Sequence, residues 1–226
     1  MLTKNSLLEE IVKQLAEVKI SDEVLAEKFY HSKRKTIHLE SLHGVLGELH
    51  MQLALREICQ AYGKPIIFDP IPSGAQTKHY RFRRNTFENL AVYRKRNERK
   101  QNGKQHGEFD ELLCIDDLPV VFESKLHGIY SLQNKTIGGH LGRSAHLGGR
   151  YEAMHLQRID RKLDPLREYF HKQQFGYVLV VYPSQVKMRH HLQEQFLQSG
   201  GILVPFPRDW EEHRRETRAF AEKLSV

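Results

Sequence analysis

The sequence predicts an α/β domain with a central mixed β-sheet flanked by helices. Short apolar segments on either side of Asp116 and Asp117 predict an antiparallel hairpin with a tight turn. Residues 176–182 form a continuous apolar segment, which is typical of a strand buried on both faces. A helical pattern at residues 184–198 and another apolar segment at residues 202–206 follow it, and this order predicts a parallel crossover.

The N-terminal half is predicted to be mainly helical. Ser21 has the side chain and the position of a helix cap. A longer helical pattern follows, with an apolar stripe that includes Leu42, Val45 and Leu49. The elements expected in this half are helices at residues 6–18, 22–29, 38–62 and 86–96 and a strand at residues 65–68.

Two features mark helix boundaries in the C-terminal half. A helix over residues 151–163 is expected to end and to restart at Asp164, which caps a new helix with Pro165 at its first position. Asp209 and Glu212 have the spacing of a capping box, which predicts a last helix.

Length and composition set the expected organisation. A chain of 226 residues with 39% hydrophobic content can bury one sizeable core. We expect an N-terminal helical appendage at residues 1–36 and a main domain at residues 37–226, with a basic insertion at residues 76–106. Cys59 and Cys114 match no zinc-binding spacing and are expected to be buried free thiols. No signal peptide and no apolar segment of membrane-spanning length is found, so a cytoplasmic protein is expected.

The predicted hairpin carries three ionisable residues, Asp110, Glu123 and Lys125, in otherwise apolar segments. If the turn has two residues, counting back along both strands puts Asp110 opposite Glu123, on one face and with Cβ atoms about 5 Å apart. Lys125 lies two residues beyond Glu123 and shares that face. A four-residue turn would keep the three side chains together, whereas a three-residue turn would pair Asp110 with Ser124 and separate them.

Buried charge of this kind needs a compensating partner. Two carboxylates at this separation repel each other, and a hard divalent cation with oxygen ligands removes the repulsion. We therefore interpret the cluster as a metal site, with Lys125 beside an attacking water. The alternative is a cross-strand salt bridge on an exposed face of the hairpin, and the three residues alone favour neither interpretation.

These residues resemble a known nuclease motif. Asp110 in Gly-Glu-Phe-Asp, followed by Glu123 and Lys125 in Val-Val-Phe-Glu-Ser-Lys, is similar to the active-site pattern of the PD-(D/E)xK nuclease superfamily, which includes restriction-endonuclease-like and Holliday junction resolvase-like enzymes. The resemblance implies a restriction-endonuclease-like core, Mg²⁺ or Mn²⁺ bound by Asp110 and Glu123, and a role for Lys125 in positioning or activating water. It also implies that Glu48, on the long helix before these strands, assists catalysis as a further metal ligand.

The chain departs from the pattern of that superfamily at two points. Phe109, rather than Pro, precedes the motif aspartate. Gln157 is only a weak match to the glutamine-containing helix motif of some members. The matching motifs are short, whereas the predicted order of helices and strands agrees with that of the superfamily from residue 42 to residue 206.

A basic segment precedes the hairpin. Residues 76–106 contain ten Lys or Arg and two Glu, a net charge of +8, whereas the whole chain carries +7. Such a segment attracts phosphate backbones, and a solvated surface is the alternative. Its aromatic residues Tyr80, Phe82, Phe87 and Tyr93 are expected in the core rather than on bases. The predicted nucleic-acid-binding residues are Arg81, Arg83, Arg84, Arg94, Lys95, Arg96, Arg99, Lys100, Lys104, Arg143 and Arg150.

Together these features predict an Mg²⁺- or Mn²⁺-dependent nuclease, an endonuclease rather than an exonuclease, that acts on DNA in preference to RNA. The main alternative is a catalytically inactive nucleic-acid-binding protein that retains the nuclease fold. A third is a protein that docks an acidic partner on residues 76–106. The glycine-rich residues 134–150 are either a clamp over nucleic acid or a flexible connection. No membrane partner is expected, and a homodimer is left open.

Overall fold

The computed structural model describes residues 4–31, 39–62, 65–85, 88–95, 105–124, 159, 161–181, 194, 196–208 and 210–224. Its helices are α1 (Ser6–Leu15), α2 (Asp22–His31), α3 (Leu39–Gln60), α4 (residues 161–170) and α5 (Trp210–Leu224). Its strands are β1 (Ile66–Phe68), β2 (Tyr80–Arg84), β3 (Leu90–Arg94), β4 (Gln105–Phe109), β5 (Glu111–Ile115), β6 (Leu118–Ser124), β7 (Gly176–Val181) and β8 (Ile202–Pro205).

The larger sheet has five strands in the order β1-β5-β6-β7-β8. Strands β1, β5 and β6 are antiparallel to one another in turn, and β6, β7 and β8 run parallel. All six residues of β7 are buried, as expected for a strand covered on both faces. The predicted α/β class, the mixed sheet and the parallel C-terminal strands are confirmed.

The β5–β6 hairpin has the predicted even turn. Ile115 pairs with Leu118, so Asp116 and Asp117 form a two-residue loop. Their φ angles, 47° and 61°, are both positive, as in the turns that match the twist of a tight hairpin. The Asp116 N–H donates to the Pro65 carbonyl at 2.9 Å, which joins the turn to the chain just before β1.

Helices α1, α2, α3 and α5 cover one face of the larger sheet. Asn5 caps α1, because its side-chain oxygen accepts a hydrogen bond from the Leu8 N–H at 2.7 Å. Leu8 and Ile11 of α1 and Leu25 of α2 belong to the same hydrophobic cluster as residues of the sheet. The two helices that were expected to form an N-terminal appendage therefore share their core with the sheet.

A second, three-stranded antiparallel sheet, β2-β3-β4, lies over the other face together with α4. The predicted helix over residues 86–96 is wrong, because β3 occupies Leu90–Arg94. Leu90 and Val92 are fully buried and two residues apart, which is the period of a strand. Strand β2 was not expected, but Tyr80 and Phe82 on it are buried in the core as predicted. The same prediction is wrong for Tyr93, which is half-buried and lies on the face of β3 opposite to the buried Val92.

Helix α4 is continuous where a break was expected. It runs through Asp164 and Pro165, so the predicted restart is wrong. Pro165 has no N–H and leaves the Arg161 carbonyl without its helical donor. The His106 Nε2 donates to that carbonyl at 3.0 Å. Strand β4 thus supplies the missing donor and holds α4 against the small sheet.

Several predictions concern residues outside those described. They include residues 134–150, residues 151–158, most of the crossover helix and Asp209, although α5 begins where the capping box predicts it. Cys59 and Cys114 are buried free thiols, as expected. No helix in the described part of the chain is long and apolar enough to cross a membrane.

Candidate active site

Asp110 is the single residue between the two sheets. Strand β4 ends at Phe109 and β5 begins at Glu111, so the segment predicted as one strand is divided between the small and the larger sheet. Asp110 is 4% exposed. The Ser124 N–H donates to its Oδ2 at 2.8 Å, which holds the carboxylate against the end of β6.

Glu123 lies on the same face of the larger sheet as Asp110. In β6, Val121 packs into the cluster beneath the small sheet and Phe122 into the cluster beneath α3. Because side chains alternate along a strand, Glu123 lies on the same side of the sheet as Val121. Asp110 lies on the side of Leu112, its second neighbour in β5, and Leu112 belongs to the same cluster as Val121. The even turn therefore brings the two predicted carboxylates together, and Glu123 is 3% exposed.

Lys162 of α4 supplies a cation to these carboxylates. Its Nζ forms an ion pair with Glu123 Oε1 and lies 4.9 Å from the centroid of the Phe109 ring. The side chain crosses β4 at Gly107, where an added Cβ would lie 3.5 Å from Lys162 Cγ. Lys162 is therefore in ordinary contact range of any side chain at position 107.

The electrostatic surroundings of Lys162 show the extent of the site. Burial lowers the pKa of Lys162 to about 8, and the negative charges of Asp110, Glu108 and Glu48 act in the opposite direction. These three carboxylates and that of Glu123 therefore lie within electrostatic reach of one ammonium group.

Side-chain amides connect the outer carboxylates to Asp110. The Gln52 Nε2 donates to the Asp110 carbonyl at 2.7 Å and to Asn89 Oδ1 at 2.9 Å. The Asn89 Nδ2 donates in turn to Glu48 Oε2 at 3.3 Å and to Glu108 Oε1 at 3.0 Å. Glu48, the weaker of the predicted residues, is thereby joined to the site through Asn89.

Four residues of this site were missed from the sequence: Gln52, Asn89, Glu108 and Lys162. Gln52 had a signal, because it lies four residues after Glu48 on the same helix and shares its face. Glu108 is part of the motif segment and was passed over. Asn89 had no local signal, and the sequence indicates Lys162 only as a helix cation that faces phosphate or water, because the packing of β3 and α4 is what brings the two residues to the hairpin.

Carboxylate oxygens, the groups that this site offers, are ligands that a hard divalent ion takes. In the described part of the chain, no three His, Cys, Asp or Glu side chains are grouped closely enough to hold a metal ion. Mg²⁺, however, commonly binds one or two carboxylates and keeps several waters. Asp110 and Glu123 offer two, and the ammonium of Lys162 at Glu123 indicates that the site accommodates a cation. Lys125, which follows β6, lies outside the described residues.

The predicted nucleic-acid-binding residues differ in their surroundings. Arg83, Arg94 and Lys95 are exposed, and Arg81 is half-buried. Arg84 instead forms an ion pair at 2.7 Å with a carboxylate of the β1–β2 connection. The residues that lie outside the described ranges are Arg96, Arg99, Lys100, Lys104, Arg143 and Arg150.

Searches against family models, curated proteins and solved structures found no significant match to this chain.

Proposed function

We propose that this protein is a metal-dependent nuclease that hydrolyses phosphodiester bonds of nucleic acid, with DNA favoured over RNA. The observation that carries the proposal is the pair of buried carboxylates, Asp110 and Glu123, on one face of the hairpin beside Lys162. A purely structural salt bridge pairs one carboxylate with one cation, whereas here the negative charges of Asp110, Glu108 and Glu48 also act on the ammonium that is paired with Glu123. The mixed sheet that carries the pair supports the finer proposal of a restriction-endonuclease-like core.

Asp110 and Glu123 are the residues that would hold Mg²⁺ or Mn²⁺, with Glu48 as a further candidate ligand. When bound, such an ion polarises the phosphate and lowers the pKa of a bound water. The chain orients its carboxylates in advance, because the Ser124 N–H holds Asp110 and the Asn89 amide holds Glu48. Groups fixed in this way need little reorganisation when a substrate binds.

Two lysines are candidates for the cationic role. The resemblance to the nuclease superfamily assigns it to Lys125. Lys162 reaches the same carboxylates from α4 and would offset negative charge that develops on the phosphate beside Glu123. Separate substitution of the two lysines by Met, with cleavage as the measurement, distinguishes these roles.

Cleavage of labelled DNA, measured with and without Mg²⁺ or Mn²⁺, tests the proposal. Glu123→Gln keeps the shape of the side chain and removes its charge, so we expect the rate to fall by about 10³-fold or more. Glu111→Gln is the matched control, because Glu111 is a buried glutamate of the same hairpin that faces α3, and this variant should still cleave. Equal rates for the wild type and Glu123→Gln would overturn the proposal.

A catalytically inactive nucleic-acid-binding protein is the second candidate. The contact between Lys162 Nζ and Glu123 favours it, because a cation held by the protein already compensates a carboxylate there. Such a protein would bind DNA without a metal, and titration with Mg²⁺ or Mn²⁺ would leave both the affinity and the DNA unchanged.

A further inference from the structure

The small sheet has an outer face that points away from the core. In β2, the buried residues Tyr80 and Phe82 alternate with Arg81 and Arg83, so both arginines lie on the outer face. Tyr93 of β3 is the cross-strand partner of Arg81 and shares this face.

The two arginines of this face differ from their neighbour in the same strand. Arg84 is paired with Asp69 at 2.7 Å, whereas neither Arg81 nor Arg83 forms an ion pair with a carboxylate in the described ranges. The guanidinium carbon of Arg83 lies 5.9 Å from the centroid of the Tyr93 ring. Among the described residues, the face therefore offers two cations without an ion-pair partner beside one aromatic ring, a combination that complements phosphates and bases.

A cross-strand row relates this face to Glu108 of the candidate active site. Arg83 pairs with Ala91 on β3, and Ala91 pairs with Glu108 on β4. Arg83 and Glu108 thus lie in one cross-strand row, about 10 Å apart at two strand spacings. Glu108 accepts a hydrogen bond from Asn89, which also binds Glu48. Ala91, between Arg83 and Glu108, is buried, so the row has Arg83 at one end and Glu108 at the other and is not an open path to the carboxylates.

We propose that the outer face of β2-β3-β4 binds a single-stranded segment of nucleic acid, with a base on Tyr93 and phosphates on Arg81 and Arg83. The inference rests on the proposed nuclease function, for which it names the substrate class: nucleic acid that is unpaired where it approaches the site. A ring that lies on a sheet can stack only on a base that is free of its neighbours, which a duplex does not offer. The arginines add attraction that is independent of sequence.

Fluorescence anisotropy without added metal tests binding separately from cleavage. The probes are a labelled oligothymidylate and a duplex of the same length, each over a range of salt concentrations. The combined variant Arg81→Gln/Arg83→Gln should bind the oligothymidylate more weakly and lower the log–log salt slope by about 1.4, since each phosphate contact contributes about 0.7 on single strands. Tyr93→Leu should weaken binding by about tenfold and leave the slope unchanged.

The matched control is Arg215→Gln/Arg218→Gln, which removes the same charge from exposed positions on α5, across the larger sheet. It should leave the affinity and the salt slope unchanged. Circular dichroism checks that each variant is folded. Arg83→Gln alone, at an exposed position, gives the same test with half the change in slope if the double variant does not fold.

Wild-type affinity of Tyr93→Leu for the oligothymidylate, or equal affinity of the wild type for the duplex, would overturn the single-strand assignment. Unchanged binding by the arginine variant of a protein that cleaves DNA would reject this face and leave the nuclease intact. Weakened binding by that variant, in a protein that cleaves nothing with Mg²⁺, would retain the face and reject the nuclease.

Discussion

Glu111 and Glu123 lie on adjacent strands of one hairpin and are equally buried, yet their surroundings differ. Glu111 is 1% exposed, faces α3 and accepts a hydrogen bond from the Leu112 N–H at 2.9 Å. Burial raises the pKa of Glu111 to about 7. Glu123 is 3% exposed, faces α4 and is paired with the ammonium of Lys162.

The comparison separates two ways of burying a carboxyl group. On the α3 side the protein avoids the cost of a buried charge by favouring the neutral form. On the α4 side the ammonium of Lys162 compensates the charge of Glu123, so this carboxylate can exchange the ammonium for another cation. Burial alone therefore does not mark the functional glutamate in this hairpin, whereas the nature of its partner does.

The largest expected effect on stability comes from Lys162→Met. The variant removes the ammonium that is paired with Glu123, and we expect a loss of about 3 kcal/mol in the free energy of unfolding. Thermal unfolding should show a midpoint about 10 °C lower. Addition of Mg²⁺ should recover part of the loss, because a ligand that binds only the native state stabilises it.

Lys13→Met is the control for this prediction, because Lys13 is an exposed lysine on α1. Its effect should stay within about 0.5 kcal/mol. A wild-type midpoint for Lys162→Met would mean that the ammonium does not compensate Glu123, and the distinction between the two glutamates would disappear.

Glu111→Gln is expected to stabilise the protein at pH 8. The unfolded chain ionises this group above its ordinary pKa of 4.5, whereas the native state raises the pKa to about 7. The native state therefore loses stability as the pH rises from 4.5 through 7, by up to about 3 kcal/mol. Asp69 adds to the rise, and Arg84 and Arg56 oppose it. Glu111→Gln carries no ionisable group at this position, so its stability does not fall over this pH range.

Urea unfolding at several pH values checks this second prediction. The stabilities of the wild type and Glu111→Gln should converge near pH 4.5 and separate at pH 8. Glu123→Gln, measured in the same way without metal, should show no gain at pH 7, where the Lys162 ammonium that is paired with Glu123 still carries its charge. Equal gains at both positions would show that the two glutamates are buried in the same way.

Asn89→Ala should have the smallest effect of the three. It removes the amide that joins Glu48 to Glu108 and leaves the pair of Glu123 and Lys162 in place. We expect kcat/KM for cleavage to fall about tenfold, since one hydrogen bond to a charged group contributes about 1.5 kcal/mol. Asn85→Ala, which removes another donor to Glu108, should have less effect if Glu48 is the residue that matters.

The hairpin and its carboxylate pair were predictable because they depend on local properties. The turn residues Asp116 and Asp117 set an even loop, and the alternation of side chains then determines the face of Asp110 and Glu123. The apolar segment of β7 was equally clear, because a strand buried on both faces needs no polar positions.

The small sheet and Lys162 could not be predicted in this way. Strand β3 has only five residues and lies in a basic segment. It has too few apolar positions for the two-residue period of a strand to be distinguished from the pattern of a charged helix. Lys162 lies on a helix that the sequence divides at Pro165, and its role depends on the packing of α4 against β4. Such contacts between distant segments leave no local pattern.

The junction at Asp110 leaves no tolerance for insertions or deletions between the two sheets. Strands β4 and β5 are each paired within their own sheet, so neither can slip to absorb an added residue. A slip of one position in β5 would turn Glu111 toward Lys162 and Asp110 toward α3. In a library of length variants of this chain, this position should therefore be among the least permissive, even where the side chains around it are free to vary.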